Sequence, residues 1–270
     1  MKRIVILTGS ELRHTYLRKA IALNDAIDVA QSYCEGSEKG LSSVVDQTNT
    51  DSDVQISHIA SRERSEADFF DSFVRTTPEL SNPTYIKKGE INEPHIQDAI
   101  FKLSPELVIA YGCSIIREPI LSKFDGRLLN VHLGLSPYYR GSGTNYWALV
   151  NNEPEFFGAT FMYMAAGVDC GKIIHQIRAR VYPGDSPHHI GNRLICDVAN
   201  VYTRLINRFD ELVEMPQIAV NQDKYYRQKD FTPESVVRLY QNFADGLVER
   251  YLADREQRDG RVPIVRNPSL

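Results

Sequence analysis

Ile4-Val5-Ile6-Leu7 is an uninterrupted apolar run, closed at once by Thr8-Gly9-Ser10. A strand that is apolar at every position is buried on both faces, which is the habit of parallel sheets covered by helices on each side. The next residues agree. Leu12, Tyr16, Leu17, Ala20, Ile21 and Leu23 recur at helical spacing within residues 11–24, and residues 27–33 form a second strand. Strand, helix, strand is the start of a parallel α/β sheet. Further strands are expected at 84–87, 106–111 (ELVIAY, stopped by Gly112), 128–133, 159–164 and 173–181. Helices are expected at 62–74, 94–103 and 187–214. Residues 36–53 are rich in Ser, Asp, Thr and Gly and read as a long loop or a poorly ordered insertion.

After Met215-Pro216 the character changes. Residues 221–232 are polar and carry Tyr225 and Tyr226; residues 233–254 have an amphipathic helical pattern. The expected organisation is an α/β catalytic domain over 1–212 and a small C-terminal extension over 213–270. At 270 residues the chain buries a sizeable core without covalent staples. The four Cys, at 34, 113, 170 and 196, form no CxxC pair and read as reduced thiols. The N-terminus has no signal-peptide pattern, and nothing approaches the roughly 18 consecutive apolar residues of a membrane span. A cytoplasmic protein with no membrane partner is the expectation. A formal net charge of -4 gives no reason to expect a polyanion across the whole surface.

The chemistry centres on "LLNVHLGLSPYYRG", residues 128–141. Asn130 and His132 are two apart on one strand and share a face. They stand near its carboxyl end, where open α/β sheets bind their ligands. Alone, an Asn-x-His pair is more often two satisfied buried side chains closing a loop than a site. Farther on come "GATFMYM" (158–164) and "GVDCGKII" (167–174). The order Asn-x-His, Pro-x-Tyr-Arg-Gly, Gly-x-Thr and Asp-x-Gly-x-Ile resembles the formyltransferases that use 10-formyltetrahydrofolate. Members act on glycinamide ribonucleotide, methionyl-tRNA or sugar nucleotides. The resemblance covers residues 1–205 in outline and is sharp over 106–175. It implies a Rossmann-like fold with a mostly parallel sheet, 10-formyltetrahydrofolate as co-substrate, and no metal.

Carried over residue by residue, the resemblance puts the family's catalytic Asn, His and Asp on Asn130, His132 and Asp169. The side chains suit those roles. An amide N–H of Asn130 can stabilise the oxyanion of formyl transfer. His132 can shuttle a proton near neutral pH. Asp169 can orient His132 and favour its protonated form. It further implies a pterin pocket walled by Tyr111, Gly112, Ile115, Ile116 and Met164; the two Ile are equally well core residues. Ser10, Arg13, Tyr139, Arg140 and Gly141 are the candidates for acceptor binding. Gly9 and Ser10 at a helix start, with Arg13 and His14 nearby, could hold a phosphate; the alternative is a Ser N-cap and an exposed Arg. The family pattern is close to N-x-H-P-S-L-L-P-x-Y-R-G, and this chain departs from it: Leu133 replaces Pro, Gly134 replaces Ser and Ser136 replaces Leu. Ala165 and Ala166 stand where acidic residues are often found.

The acceptor follows from what surrounds this site. From Val201 onward there are 11 Lys+Arg and 11 Asp+Glu. A tRNA partner calls for a basic surface, so a nucleic acid is not expected. Layout favours a sugar N-formyltransferase acting on a nucleotide-linked amino sugar, a small-molecule partner whose product serves glycan synthesis. A 10-formyltetrahydrofolate hydrolase, a formyltransferase on another amine such as methionyl-tRNA, and an idle folate- or nucleotide-binding regulator are the alternatives. The 233–254 helix makes a homodimer plausible. His188-His189 reads as a surface pair rather than metal ligands.

Overall fold

Ile4 and Ile6 turn to one side of the sheet and Val5 and Leu7 to the other, all four with no exposed surface. Side chains alternate faces along a strand, so an unbroken apolar run requires a covered layer on each side. The computed structural model describes residues 1–36, 53–165, 171–218, 220 and 224–270. In chain order the elements are β1 (Lys2–Gly9), α1 (Leu12–Ala22), β2 (Ile27–Glu35), α2 (Asp53–Thr76), β3 (Pro83–Ile86), α3 (Pro94–Leu103), β4 (Leu107–Tyr111), α4 (Ile120–Lys123) and β5 (Leu128–His132). Then come β6 (Tyr139–Gly141), α5 (Thr144–Val150), β7 (Gly158–Tyr163), β8 (Ile173–Arg178), α6 (Pro187–Asn207), β9 (Lys224–Tyr226), α7 (Pro233–Ala244), α8 (Leu247–Ala253) and α9 (Arg255–Gly260).

The main sheet has seven strands in the order β3-β2-β1-β4-β5-β7-β8. Pairs from β3 to β5 are parallel; β7 and β8 join antiparallel. The chain winds outward from β1 to β3 on one side and from β4 to β5 on the other. The carboxyl ends of β1 and β4 therefore flank the crevice where the winding reverses, the place such sheets reserve for ligands. Helices α1, α2 and α6 pack together on one face, over Ile4, Ile6, Leu129 and Val131. Ile96 and Ile100 of α3, with Ile120 and Phe124, cover Val5, Leu7 and Val108 on the other.

Strand expectations hold to within a few residues. Three helical ones are corrected. Helix α2 begins at Asp53, not Arg62; the 187–214 pattern stops at Asn207, with a short 3-10 turn at Phe209–Glu211; and the 233–254 pattern is two helices. Gly246 divides them at φ +80, a left-handed turn at which α7 ends and α8 starts in a new direction. The loop expected at 36–53 lies, apart from its two ends, outside the described residues.

The extension is built into the main core. Leu239 of α7 and Leu247 and Tyr251 of α8 have no exposed surface and share one apolar cluster with Ile4, Leu129 and Tyr202. Strand β9 pairs in parallel with β6, and Asn242 donates to the carbonyls of Leu149 and Val150 at 2.9 Å each, capping the end of α5.

Candidate active site

The site begins at the glycines that end the two central segments. An ideal Cβ on Gly9 would lie 2.6 Å from the His14 ring, and one on Gly112, at φ +68, would lie 2.3 Å from His14 Nε2. Glycine at both positions lets the His14 imidazole sit between the ends of β1 and β4. The cap of α1 is Glu11, with a reciprocal contact between Glu11 and His14, and not Ser10. His14 is 4% exposed and meets Tyr111 edge-on at 4.9 Å. Burial, reinforced by Arg13, pushes its pKa well below the ordinary histidine value, so the ring is neutral.

Arg13 reaches the crevice with its charge already matched. Its guanidinium lies 3.0 Å from Glu66, on α2, and also pairs with Glu11. Burial opposes the charge, but Tyr111, Glu66 and Glu11 together keep the pKa raised. Arg62 makes a second contact to Glu66 at 3.0 Å. The Tyr111 hydroxyl is buried and has no hydrogen-bond partner among the described residues; burial holds its pKa at about 12. An unpaired buried hydroxyl is costly unless something arrives to bond it.

Asn130 and His132 open from β5 into the same crevice, a cleft of about 380 Å³ that Tyr111, Gly112, Arg13 and Thr144 also line. The loop after His132 is held from below by one buried polar network. Thr160 on β7 donates to the Gly134 carbonyl at 2.7 Å and accepts from Ser136 N–H at 3.0 Å and from Gln176 at 2.9 Å. Gln176, on β8, also donates to the Ser136 carbonyl at 2.6 Å and accepts from the Val265 N–H at 2.9 Å. Three of these hydrogen bonds hold the turn after His132 directly, and the other two fix Gln176 in place. The Gly-x-Thr element was visible in sequence as a motif; its task of bracing this turn required the β5–β7 pairing, which sets His132 opposite Thr160.

A second cavity, about 340 Å³, adjoins the first and shares Arg13, Leu133, Gly143, Asn145 and Tyr146 with it. Its other walls include His58 and Arg62 from α2, His188 from α6, and Arg227 and Phe231 from the extension. The His58 and His188 rings lie 4.8 Å apart, tilted by 51°, and burial drops their pKa values to about 3 and about 4. Sequence reading missed His58, Arg62, His188, Arg227, Phe231 and Thr144 here, and placed His14 near the helix start without giving it a role. The one local hint was His14 itself, directly after Arg13 in "TGSELRH".

Not every candidate converges. Gly141 lines the cleft, but Tyr139 is 1% exposed, donates to Glu153 and accepts from Asn151 at 2.9 Å, well inside the core. Ile116 packs in the core beside Ile120, whereas Ile115 is 64% exposed. Met164 is half-buried against the same apolar cluster as Cys113. Arg140 and Ser10 are half-buried beside the site. Asp169 lies outside the described residues. Among the described residues no group of three or more His, Cys, Asp or Glu could hold a metal ion, and no helix is long and apolar enough to cross a membrane.

A family profile described as formyl transferase matches residues 27–206, two thirds of the chain, including Asn130, His132 and Thr160. The chain belongs to the formyl transferase family. The match leaves out β1, Arg13 and His14 on one side and the whole extension on the other. The chain is 38% identical over 131 residues to the methionyl-tRNA formyltransferase of Desulforamulus reducens; the match takes in 48% of this chain and 39% of that protein. Among solved structures it resembles a phosphoribosylglycinamide formyltransferase from Anaplasma phagocytophilum, with TM-score 0.53 and 16% identity over 84% of this chain and 98% of that one. It also resembles a 4-N formyltransferase from Francisella tularensis, with TM-score 0.52 and 19% identity over 85% and 78% of the two chains. These structures share the formyl transferase fold and differ in the acceptor each is named for.

Proposed function

We propose that this protein moves a formyl group from 10-formyltetrahydrofolate to the amine of a nucleotide-linked amino sugar in the cytoplasm. The observation that carries the reading is the joining of two cavities across Arg13, Leu133, Gly143, Asn145 and Tyr146, next to His132. One is a cleft at the sheet's reversal point holding Asn130 and His132; the other is an aromatic and cationic cavity completed by the extension.

The donor belongs in the cleft. The Tyr111 hydroxyl, without a partner among the described residues, suits a polar heteroaromatic ring, and Gly112 lines the cleft beside it; Ile116 and Met164 belong to the apolar cluster under this part of the sheet. In the reaction the acceptor nitrogen attacks the formyl carbon, the bond from that carbon to N10 breaks, and the proton lost by the amine ends on N10. Asn130 donates an amide N–H to the oxyanion. His132 carries the proton, and Asp169 orients and charges it. The acceptor belongs in the second cavity and in the stretch between Ser10 and Arg13. There Tyr146 and Phe231 offer aromatic faces, and Arg62 and Arg227 offer charge for phosphates. Gly141 lines the cleft beside the second cavity, and Arg140, the residue before it, is a candidate contact for the acceptor.

The test is release of tetrahydrofolate from 10-formyltetrahydrofolate, first without acceptor, then with a panel of nucleotide-linked amino sugars and with methionyl-tRNA, each with mass spectrometry of the product. Release with one amino sugar and a product heavier by a formyl group supports the reading. Release without acceptor would make the protein a hydrolase, and formylation of methionyl-tRNA alone would replace the sugar. The His132→Ala variant should be inactive and folded.

A further inference from the structure

We propose that Glu35, the last residue of β2, is a positioning residue for the donor: its buried carboxylate binds the loop after β4 to the loop after β3 and so keeps one wall of the cleft in place. The inference rests on the formyl-transfer reading for its effect on the donor, though not for its hold on the loop.

The Glu35 side chain has no exposed surface. One carboxylate oxygen accepts from the Gly89 N–H at 2.9 Å. The other accepts from the Ser114 N–H at 2.6 Å and lies 3.5 Å from Lys88 Nζ. A buried carboxylate is costly, and charge-assisted bonds offset that cost only while both loops stay within reach. Strands β2 and β4 lie on either side of β1. The carboxylate therefore reaches past the end of β1, and one side chain ties together the segments that follow β2, β3 and β4. Gly89 stands at φ +85, a left-handed conformation that glycine adopts without strain, so the turn can bring its N–H to the carboxylate.

The tie falls beside the cleft. Gly112 and Cys113, the two residues before Ser114, line it. At the root of the loop Thr8 donates to the Tyr111 carbonyl at 2.8 Å. At its outer end Asn92 donates to the Ile115 carbonyl at 3.0 Å and accepts from the Arg117 N–H at 2.9 Å. The Ser114 bond lies between these two anchors, directly after the residues that face the donor. Glu35 stands behind the wall and acts through it. With Thr8 and Asn92 in place, losing the carboxylate frees the middle of the loop and leaves the sheet intact.

The test compares the full chain with Glu35→Gln, which matches the carboxylate in size but offers one accepting oxygen in place of two. Amide hydrogen exchange is followed residue by residue by NMR, and tetrahydrofolate is titrated by calorimetry. In the wild type the Ser114 and Gly89 amides should be protected. In the variant exchange should quicken over residues 112–116 while the core strands stay protected, and the Kd for tetrahydrofolate should rise at least about tenfold. With an amine that is formylated, donor KM should rise by a like factor, with kcat and acceptor KM within about twofold. A Ser114 amide that exchanges freely in the wild type overturns the proposal, whatever the variant does. So does a variant whose loop loosens with no change in Kd. A Kd that rises only together with lost protection throughout the sheet makes Glu35 a support of the fold and also overturns it. If the wild type binds no tetrahydrofolate, the formyl-transfer reading falls and the donor role falls with it, and exchange at Ser114 still decides the hold on the loop.

Discussion

Asn130 and Arg13 differ in how their surroundings treat them. Asn130 stands half-buried at the end of β5 and lines the cleft, so replacing it removes a donor while leaving the core intact. Asn130→Ala should lower kcat roughly 10²–10³-fold with a native circular dichroism spectrum, the loss typical of one oxyanion donor. A near-normal rate would take Asn130 out of the chemistry. Arg13 is bound into a cluster with Glu66 and Glu11, and its removal leaves those carboxylates facing the cleft with only Arg62 to offset them. We expect Arg13→Ala to cost at most about 3 kcal/mol in urea denaturation, below the usual loss for a broken buried pair because Arg62 remains. The KM for a phosphate-bearing acceptor should rise while donor KM stays. An unchanged acceptor KM would place the phosphate elsewhere.

Helices α2, α6 and α7 meet around His58. Its Nδ1 lies 3.1 Å from the Tyr240 hydroxyl, which is 3.4 Å from His188 Nε2. Burial depresses both histidines, His58 to about 3 and His188 to about 4, with Arg62 adding to each. The sign follows from linkage. In the unfolded chain both titrate near 6.5, so between that pH and about 4 the unfolded state binds more protons, and stability falls as pH falls. The contribution is present in full above about 6.5. Thermal midpoints should drop between pH 7 and 5, and His58→Gln should flatten the drop. A His58→Gln profile parallel to wild type would assign the acid sensitivity to other groups.

At the scale of the whole molecule the extension shares one apolar cluster with the sheet. Leu239→Ala should cost about 2–5 kcal/mol, as for a fully buried Leu elsewhere. Calorimetry of the full chain should show one transition that this variant shifts as a unit. Two separable transitions would mean that residues 213–270 fold apart. The reason to expect one is the shared apolar cluster, in which Tyr251 and Leu247 are as deeply buried as Ile4.

Strand periodicity, the apolar runs and the Asn130-x-His132 spacing are local properties, and local physics is enough to read them. A run apolar on both faces must be a covered strand, and two residues on one strand must share a side. The family followed from motif order alone. What stayed hidden was every partner brought in by tertiary contact. Tyr139 reads as a site residue because it sits in the motif, yet packing turned it inward onto Glu153 and Tyr226. Glu66 and Arg62 belong to a helix whose pattern says nothing about the crevice; they arrive there because α2 crosses α1. Thr144 is one more small polar residue in "RGSGTNYW", and only the turn braced by Thr160 sets it against His132. Sequence determined which faces are buried and which side chains can do the chemistry. Tertiary structure decided which of them meet, because strand order and helix crossing depend on contacts between residues far apart in the chain.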